Sequence, residues 1–495
     1  MKQLSKFIII AAVVVSGCSK SYFDINQNPN SPATASVDLV LANAAKVSAA
    51  FMVNSFATQS EWMNYWSPSG SYALSSSDGA SYKETTDFGD ALWTAIYRNL
   101  EDYKYIEDKA TANNQYFYIA AAKTMKSMMF QILVDLFNNV PYTEALNGTG
   151  NLLPKYDKGI DIYTSLSDNL DQAVTLFQRA DAVGVLGQDV LFGTPTATTA
   201  ANENPRWAMF ANTLRMRLLM RQTQVAGRTA YIQTEFNKII ANGSGFLTID
   251  AGVNPGYSNS AGKQSPFWGA TIGVTGAYTQ DFWRAGKYIL DFCAAHNDPR
   301  FAYWYAPAAS PGGTYAGSVV GSALNLPGNK LSTFGPGVLK NVSQNAIILS
   351  ASESYFLQSE AILKGFLAGS AQTMFNNGVQ ANFTYLGAGS SAAYTSQSDK
   401  QTNYGACTTD AERLACIIRQ KFLAMNMVTP LEGYNDYRRL GLPADIPISI
   451  HPNLDVPGTI PSRFLYPTSE FQTNLANVSG EGTINYHTSK VFWAQ

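Results

Sequence analysis

Two kinds of residue in this 495-residue chain have types and spacings that could do chemistry. The first is Cys18. It closes the stretch MKQLSKFIIIAAVVVSGC, in which Lys2 and Lys6 flank the start of an unbroken apolar run from Phe7 to Val15, and the small residues Ser16 and Gly17 lead into the thiol. That order reads as a bacterial secretory signal over residues 1–17 ending in a lipoprotein box, so that cleavage leaves Cys18 as a new N-terminus carrying acyl chains such as palmitate. Nine apolar residues are too few to cross roughly 30 Å of hydrocarbon, which takes a helix of about 20. The anchor on this reading is lipid, and several acyl chains hold a protein on a membrane far better than one. The alternative is an ordinary secreted protein with a chance cysteine at that position.

The second kind is aromatic. Trp62, Trp66 and Tyr72 fall in EWMNYWSPSGSYALSSS, and Trp268 with Tyr278 in a later Gly/Ser/Thr-rich stretch. A flat ring offers its face to the C–H surface of a sugar or to an apolar side chain, while neighbouring amides and hydroxyls supply hydrogen bonds, which makes a site selective without charge. Trp66, Tyr72, Trp268 and Tyr278 are the candidate platform, with Asn64 as a hydrogen-bonding neighbour. The competing reading is core packing. It applies to Trp93, which stands at helical spacing with Ile96 and Tyr97, and it stays open for Trp66 and Trp268. Two or three stacked rings at about 0.5–1.5 kcal/mol each and a few hydrogen bonds netting about 1 kcal/mol apiece sum to roughly 4–7 kcal/mol. The corresponding dissociation constant is about a millimolar to ten micromolar, suited to cargo that must be released.

Enzymatic chemistry finds little to use. The three histidines, His296, His451 and His487, lack HExxH spacing, and no GxSxG elbow, P-loop or dinucleotide fingerprint occurs. The best carboxylate pair, Glu353 and Glu360, shares a helix face about 10.5 Å apart along the axis, beyond the ~5.5 Å of a retaining glycosidase. These two are expected to be structural, paired with Arg438 or Arg439. No catalytic residue, metal or cofactor is expected. The formal charge of −2 becomes −4 once Lys2 and Lys6 are removed, which argues against nucleic acid as a partner. Charged residues make up 14% of the chain, against a usual quarter, and aromatics 12%, so the polar surface must rest on Asn, Ser, Thr, Gln and Gly. With Cys18 committed, three cysteines remain. Cys407 and Cys416 could bridge in an oxidising compartment, but their spacing alone does not guarantee it.

The elements that must position these residues are helices. Residues 18–35 are polar and proline-interrupted, as suits a tether, and residues 36–495 form one helical body with no clean internal boundary. Met125, Met128, Met129, Ile132, Leu133 and Leu136 recur at i, i+3, i+4, i+7, i+8 and i+11, one stripe of a helix that stops at Asn138-Asn139-Val140-Pro141. Further helices are predicted at about 38–56, 88–109, 160–180, 206–225, 229–241, 281–295, 352–368, 371–386 and 410–426. Asp38, Ser352 and Asp410 stand near N-termini, and Gly243 and Gly369 follow C-termini. Antiparallel pairs with short connections point to a mostly α, tetratricopeptide-like stack, though its consensus is not visible at a fixed period. Four long segments, 184–205, 243–280, 306–346 and 387–409, interrupt the helices. Loops of that length are usually functional or disordered.

Several stretches resemble one family. IILSASESYFLQSEAILKG (347–365), IIRQKFLAMNMVTPLEGYNDYRRLGLP (417–443) and IPSRFLYPTSEFQTNLANV (460–478) are similar to the SusD/RagB family of outer-membrane nutrient-binding lipoproteins, in its SusD-like branch. DLFNNVPYTEAL (135–146), LLPKYD (152–157), WAMFANTLRMRLLMR (207–221), NDPR (297–300) and the NQNPN of the tether add to the likeness, which runs from Cys18 to Trp493. The resemblance implies a lipid-anchored, tetratricopeptide-like binding protein and not an enzyme. It would sit on a SusC-type TonB-dependent outer-membrane barrel and deliver oligosaccharides, or in some branches peptides, through it. The matching stretches are mainly structural, so the resemblance transfers no ligand residue. A helical scaffold with no small ligand is the remaining alternative.

Overall fold

The computed structural model describes residues 35–72, 78–185, 188–193 and 203–495. Cys18, the signal stretch, most of the tether and much of the 184–205 segment therefore lie outside the described residues.

Apolar residues at three- and four-residue spacing build ten long helices among the described residues. They are α1 (Val37–Asn54), α2 (Asp90–Ala112), α3 (Tyr116–Phe137), α4 (Gly159–Phe177), α5 (Asn204–Arg221), α6 (Thr229–Asn242), α7 (Ala351–Leu363), α8 (Ala371–Leu386), α9 (Asp410–Met425) and α10 (Pro430–Leu440). Consecutive helices pack as hairpins, α2 on α3, α3 on α4, α4 on α5 and α7 on α8, while α7 also packs on α9 and thus ties the C-terminal pairs together. The fold is mostly α and tetratricopeptide-like, with short antiparallel ladders as its sheet: Ala251–Val253 with Ala346–Leu349, for example, and β1 (Trp66–Pro68) with β2 (Trp283–Ala285).

All six residues of the methionine stripe in α3 are buried, and α3 ends on Asn138, whose φ of 70° turns the chain out of the helix before Val140-Pro141. By length and composition the stretch 37–62 would pass for a membrane span. In the fold its Leu41, Ala44, Ala45, Ala49 and Met52 are core residues instead. One large hydrophobic cluster draws on residues from Val37 to Trp493, and two smaller ones lie around Phe375 and Phe236.

Several boundaries differ from the periodicity. The 281–295 stretch is not one helix: β2 occupies Trp283–Ala285, and only Lys287–Ala295 is helical, because Ala285 and Gly286 are drawn into hydrogen bonds with Ser332 and Tyr65. The α7 helix stops at Leu363, with Gly365 rather than Gly369 turning the chain at φ 80°. The side-chain caps are Ser350 and Thr409, one or two residues ahead of the expected Ser352 and Asp410, and Ser36 makes no cap hydrogen bond ahead of Asp38. Gly243 is left-handed at the end of α6, as its position implied. The α10 helix was not foreseen, since Gly433 and four charged residues, Glu432, Asp436, Arg438 and Arg439, hide its apolar face.

Candidate functional site

Tyr72 is carried to the surface by the β1–β2 ladder. Trp66 faces Ala285, Ser67 faces Arg284 and Pro68 faces Trp283, and the pairing runs on through Ser69 N–H donating to Phe282 O at 2.9 Å. Beyond it Gly70 N–H donates to Leu326 O at 2.8 Å, and a Cβ on Gly70 would lie 1.9 Å from the Asn325 carbonyl oxygen, so only glycine allows this crossing. The opposite wall is the 319–326 loop, closed on itself by Asn325, which accepts from Val319 N–H at 2.9 Å and donates to Val319 O at 2.8 Å. Gly321, at φ 77°, passes against Ser449 and His451, where a side chain would clash.

Between these walls is a cavity of about 210 Å³ bounded by Tyr72, Phe282, Ser69, Ser322 and Asn325 among others, with no charged side chain in its described lining. Tyr72 and Phe282 stand edge to face, centroids 4.8 Å apart at 67°. Tyr72 keeps 40% of its surface in solvent, and Leu324, Leu326 and Ile450 are exposed large apolar residues on the adjoining loops. The space is smaller than the roughly 300–1,000 Å³ of pockets that enclose drug-sized ligands. It accommodates a ring-sized neutral group while a longer chain continues through the mouth. A lining of aromatic rings with the Ser69 and Ser322 hydroxyls suits a molecule with an apolar C–H face and hydroxyl edges.

The other aromatic candidates lie around this ladder. Trp66 is 5% exposed and enclosed by Phe267, Trp283 and Phe334, so its ring backs β1 and offers no free face. Asn64 is likewise 5% exposed at φ 56°, its amide donating to Pro447 O at 2.8 Å and Trp62 O at 3.4 Å, which makes it a tie between distant segments. Trp268 is half-buried on the short helix Pro266–Thr271 beside Phe267. Tyr278 is half-buried, with the Arg284 guanidinium 5.7 Å from its ring centre, and burial pushes its hydroxyl up to about 12. Tyr72 and Phe282 meet at an uncharged cavity, as Trp93 and Tyr97 do at the charged one along α2; no ring contact among the described residues joins Tyr72 to Trp268 or Tyr278. Phe282, Ser322 and Asn325 escaped the sequence reading. Phe282 was hidden inside the expected 281–295 helix, and the 306–346 segment was flagged by its length alone.

Three other cavities carry charge. One of about 370 Å³ lies along α2 beside Trp93, Arg98, Glu101 and Glu470, and one of about 520 Å³ between α1 and α2 beside Arg98 and Asp102. The third, of about 420 Å³, holds Arg206 and Asp250. Glu353 and Glu360 line none of them. Glu353 is fully buried in a bidentate pair with Arg217 at 2.7 and 2.8 Å, and Glu360 in one with Arg439 at the same distances. The expected partner Arg439 thus serves Glu360, and Glu353 takes Arg217 instead. Both carboxylates are buried and held bidentately, the arrangement of a structural ion pair.

A family model described as "SusD-like_2: Starch-binding associating with outer membrane" matches residues 29–467. Among solved structures, a SusD-like protein from Bacteroides thetaiotaomicron VPI-5482 is similar with a TM-score of 0.77 and 20% identity, covering 93% of this chain and 99% of its own. A chitin-binding SusD homolog from Flavobacterium johnsoniae is similar with a TM-score of 0.74 and 21% identity, covering 92% and 98%. A further structure, described as a chitin-binding protein, has a TM-score of 0.74 and 23% identity over 92% and 99%. No curated protein sequence matches the chain.

Proposed function

The chain belongs to the SusD-like family, and from that premise we propose that it is a surface-exposed lipoprotein, anchored through Cys18, that captures oligosaccharides and hands them to a SusC-type TonB-dependent outer-membrane barrel. The observation that carries the glycan half is the uncharged cavity in which Tyr72 and Phe282 meet edge to face, lined also by Ser69, Ser322 and Asn325. One sugar ring rests against Tyr72. Trp66 and Asn64 hold the ladder that presents it, and Trp268 with Tyr278 extends the aromatic surface for a longer chain. The family's description as starch-binding and outer-membrane-associated, and two structural neighbours described as chitin-binding, support neutral polysaccharide fragments as cargo. The hand-off rests on the lipoprotein box and on the family resemblance.

Titration calorimetry of residues 19–495 against malto-oligosaccharides, chito-oligosaccharides and neutral and charged oligopeptides tests the cargo. At least one glycan series is expected to bind with a dissociation constant between about a millimolar and ten micromolar. Binding of peptides alone would overturn the glycan assignment. The hand-off is tested by isolating the lipidated full chain from outer membranes in mild detergent, where a TonB-dependent barrel is the expected co-purifying partner.

A further inference from the structure

The α2 helix is covered on one face only. Trp93, Ile96, Leu100 and Tyr103 recur at three- and four-residue spacing and enter the core, whereas Ala91, Thr94, Ala95, Arg98, Glu101 and Asp102 share the other face and are exposed or half-buried. The cavities of about 370 and 520 Å³ lie along that face, and Thr94 and Arg98 line both. Together they form one trough from Asp90 to Asp102, about 18 Å of helix at 1.5 Å per residue. It shares no described lining residue with the cavity at Tyr72.

The walls of the trough are apolar and tied in place. On one side stand Val47 and Phe51 of α1. On the other is the 141–154 loop, which brings Leu146 and Pro154 and is held by Tyr97 donating to Pro141 O at 2.7 Å and Asn474 donating to Pro154 O at 2.9 Å. Leu152, Leu153 and Phe471, all exposed, follow in the chain beside the lining residues Pro154 and Glu470. Large apolar side chains gathered in solvent beside a groove mark a surface that another molecule covers.

The charges say what kind of molecule. Four carboxylates, those of Asp90, Glu101, Asp102 and Glu470, line the trough against the one cation, Arg98, in its described lining. Asp90 is engaged by Ser469, and Glu470 accepts from Tyr156 at 2.7 Å. Glu101, Asp102 and Arg98 form no ion pair among the described residues, although Arg98 and Asp102 stand one helical turn apart. Asp102 is half-buried, and burial raises its carboxyl above its ordinary value with no cation offsetting it. A neutral chain laid over these carboxylates would strip their water and return nothing, whereas a Lys or Arg side chain returns an ion pair.

We propose that the trough bounded by α1, α2 and the 141–154 loop is a docking surface for a basic amphipathic helix of a partner protein. A groove that is straight over about three turns and flanked by a helix admits a further helix packed ridge into groove. The apolar side chains of the incoming helix lie against Phe51, Leu146 and Pro154, and its cations meet Glu101 and Asp102.

The test is fluorescence anisotropy of two labelled probes: an amphipathic helix of about 14 residues built from Leu and Lys, long enough to span the trough, and its counterpart built from Leu and Glu. The Lys probe is expected to bind residues 19–495, and the Glu probe at least about tenfold more weakly. Thr94→Trp, which fills the junction of the two cavities, and the pair Glu101→Lys with Asp102→Lys are each expected to weaken the Lys probe about tenfold or more, with circular dichroism unchanged. Asp291→Lys, a like charge change on the separate helix Lys287–Ala295, and Tyr72→Ala are expected to leave it unchanged. No binding of the Lys probe, equal binding of both probes, or the same loss from Asp291→Lys as from the Glu101 and Asp102 pair overturns the proposal. So does loss on Tyr72→Ala, which would place the probe in the other cavity.

Discussion

Tyr72 and Glu84, twelve residues apart, illustrate how differently two side chains can serve. Tyr72 is half in solvent and its neighbour Phe282 partly so, so replacing Tyr72 by alanine removes a wall of the cavity without opening the core. Glycan affinity is expected to fall about tenfold, roughly 1.4 kcal/mol, with the melting temperature unchanged. Glu84 is the opposite case. Its carboxylate is 5% exposed, and burial lifts it to about 8, opposed by the Leu465 backbone N–H and then by Arg438 and Arg463. Between its ordinary value near 4.5 and about 8 the folded chain holds a proton that the unfolded chain has released, so this group's contribution to stability falls as pH rises through that window, by at most about 1.4 kcal/mol per pH unit. Thermal melts of the parent and Glu84→Gln are expected to diverge from pH 5 to pH 8, the variant gaining; parallel curves would show that Glu84 is not the buried titrating group. From sequence the rings were legible as a class. Which of them are free was not, because exposure of Trp66 depends on Phe267, Trp283 and Phe334, which reach it only through long-range pairing.

Helices with a strong stripe, α3 above all, could be read directly, because a 3.6-residue period is a local property. The 281–295 stretch could not. Its apolar spacing also suits a strand entering a short helix, and the partner that decides, β1, lies more than 200 residues upstream. Charged positions were harder still. Arg439 was expected as a carboxylate partner, but nothing local marked Arg217 or Arg221; all three are buried and tie α5, α7 and α10 together through Glu353, Glu360 and Glu432. Removing one partner of such a pair strands a buried charge, so Glu360→Ala is expected to cost about 3–5 kcal/mol in urea unfolding. Thr409→Ala, which removes only the side-chain cap of α9, is expected to cost about 1 kcal/mol. Equal costs for the two would contradict a structural role for the buried pairs.

For the molecule as a whole, the C-terminal residues act as a closure. Trp493 is buried, donates to Asp135 at 2.9 Å and lies under Arg221 and Arg438, while Asp135 also receives Tyr163 and Asn435, so that α3, α4, α5, α10 and the chain end meet at one carboxylate. Trp493→Ala is expected to cost about 3–5 kcal/mol, checked by urea unfolding. The proposed binding site lies between the end of β1, Phe282 and the 306–346 segment, of which only the last was marked by its length, and no local pattern encodes its geometry. The central claim is that an uncharged cavity between Tyr72 and Phe282 takes neutral sugar. The most direct measurement is calorimetric titration of the cognate oligosaccharide into the parent chain and into Tyr72→Ala and Phe282→Ala, at low and high salt. Affinity is expected to drop about tenfold or more in each variant and to be insensitive to salt in the parent. Unchanged affinity in both variants, or binding that collapses with salt, would contradict the account.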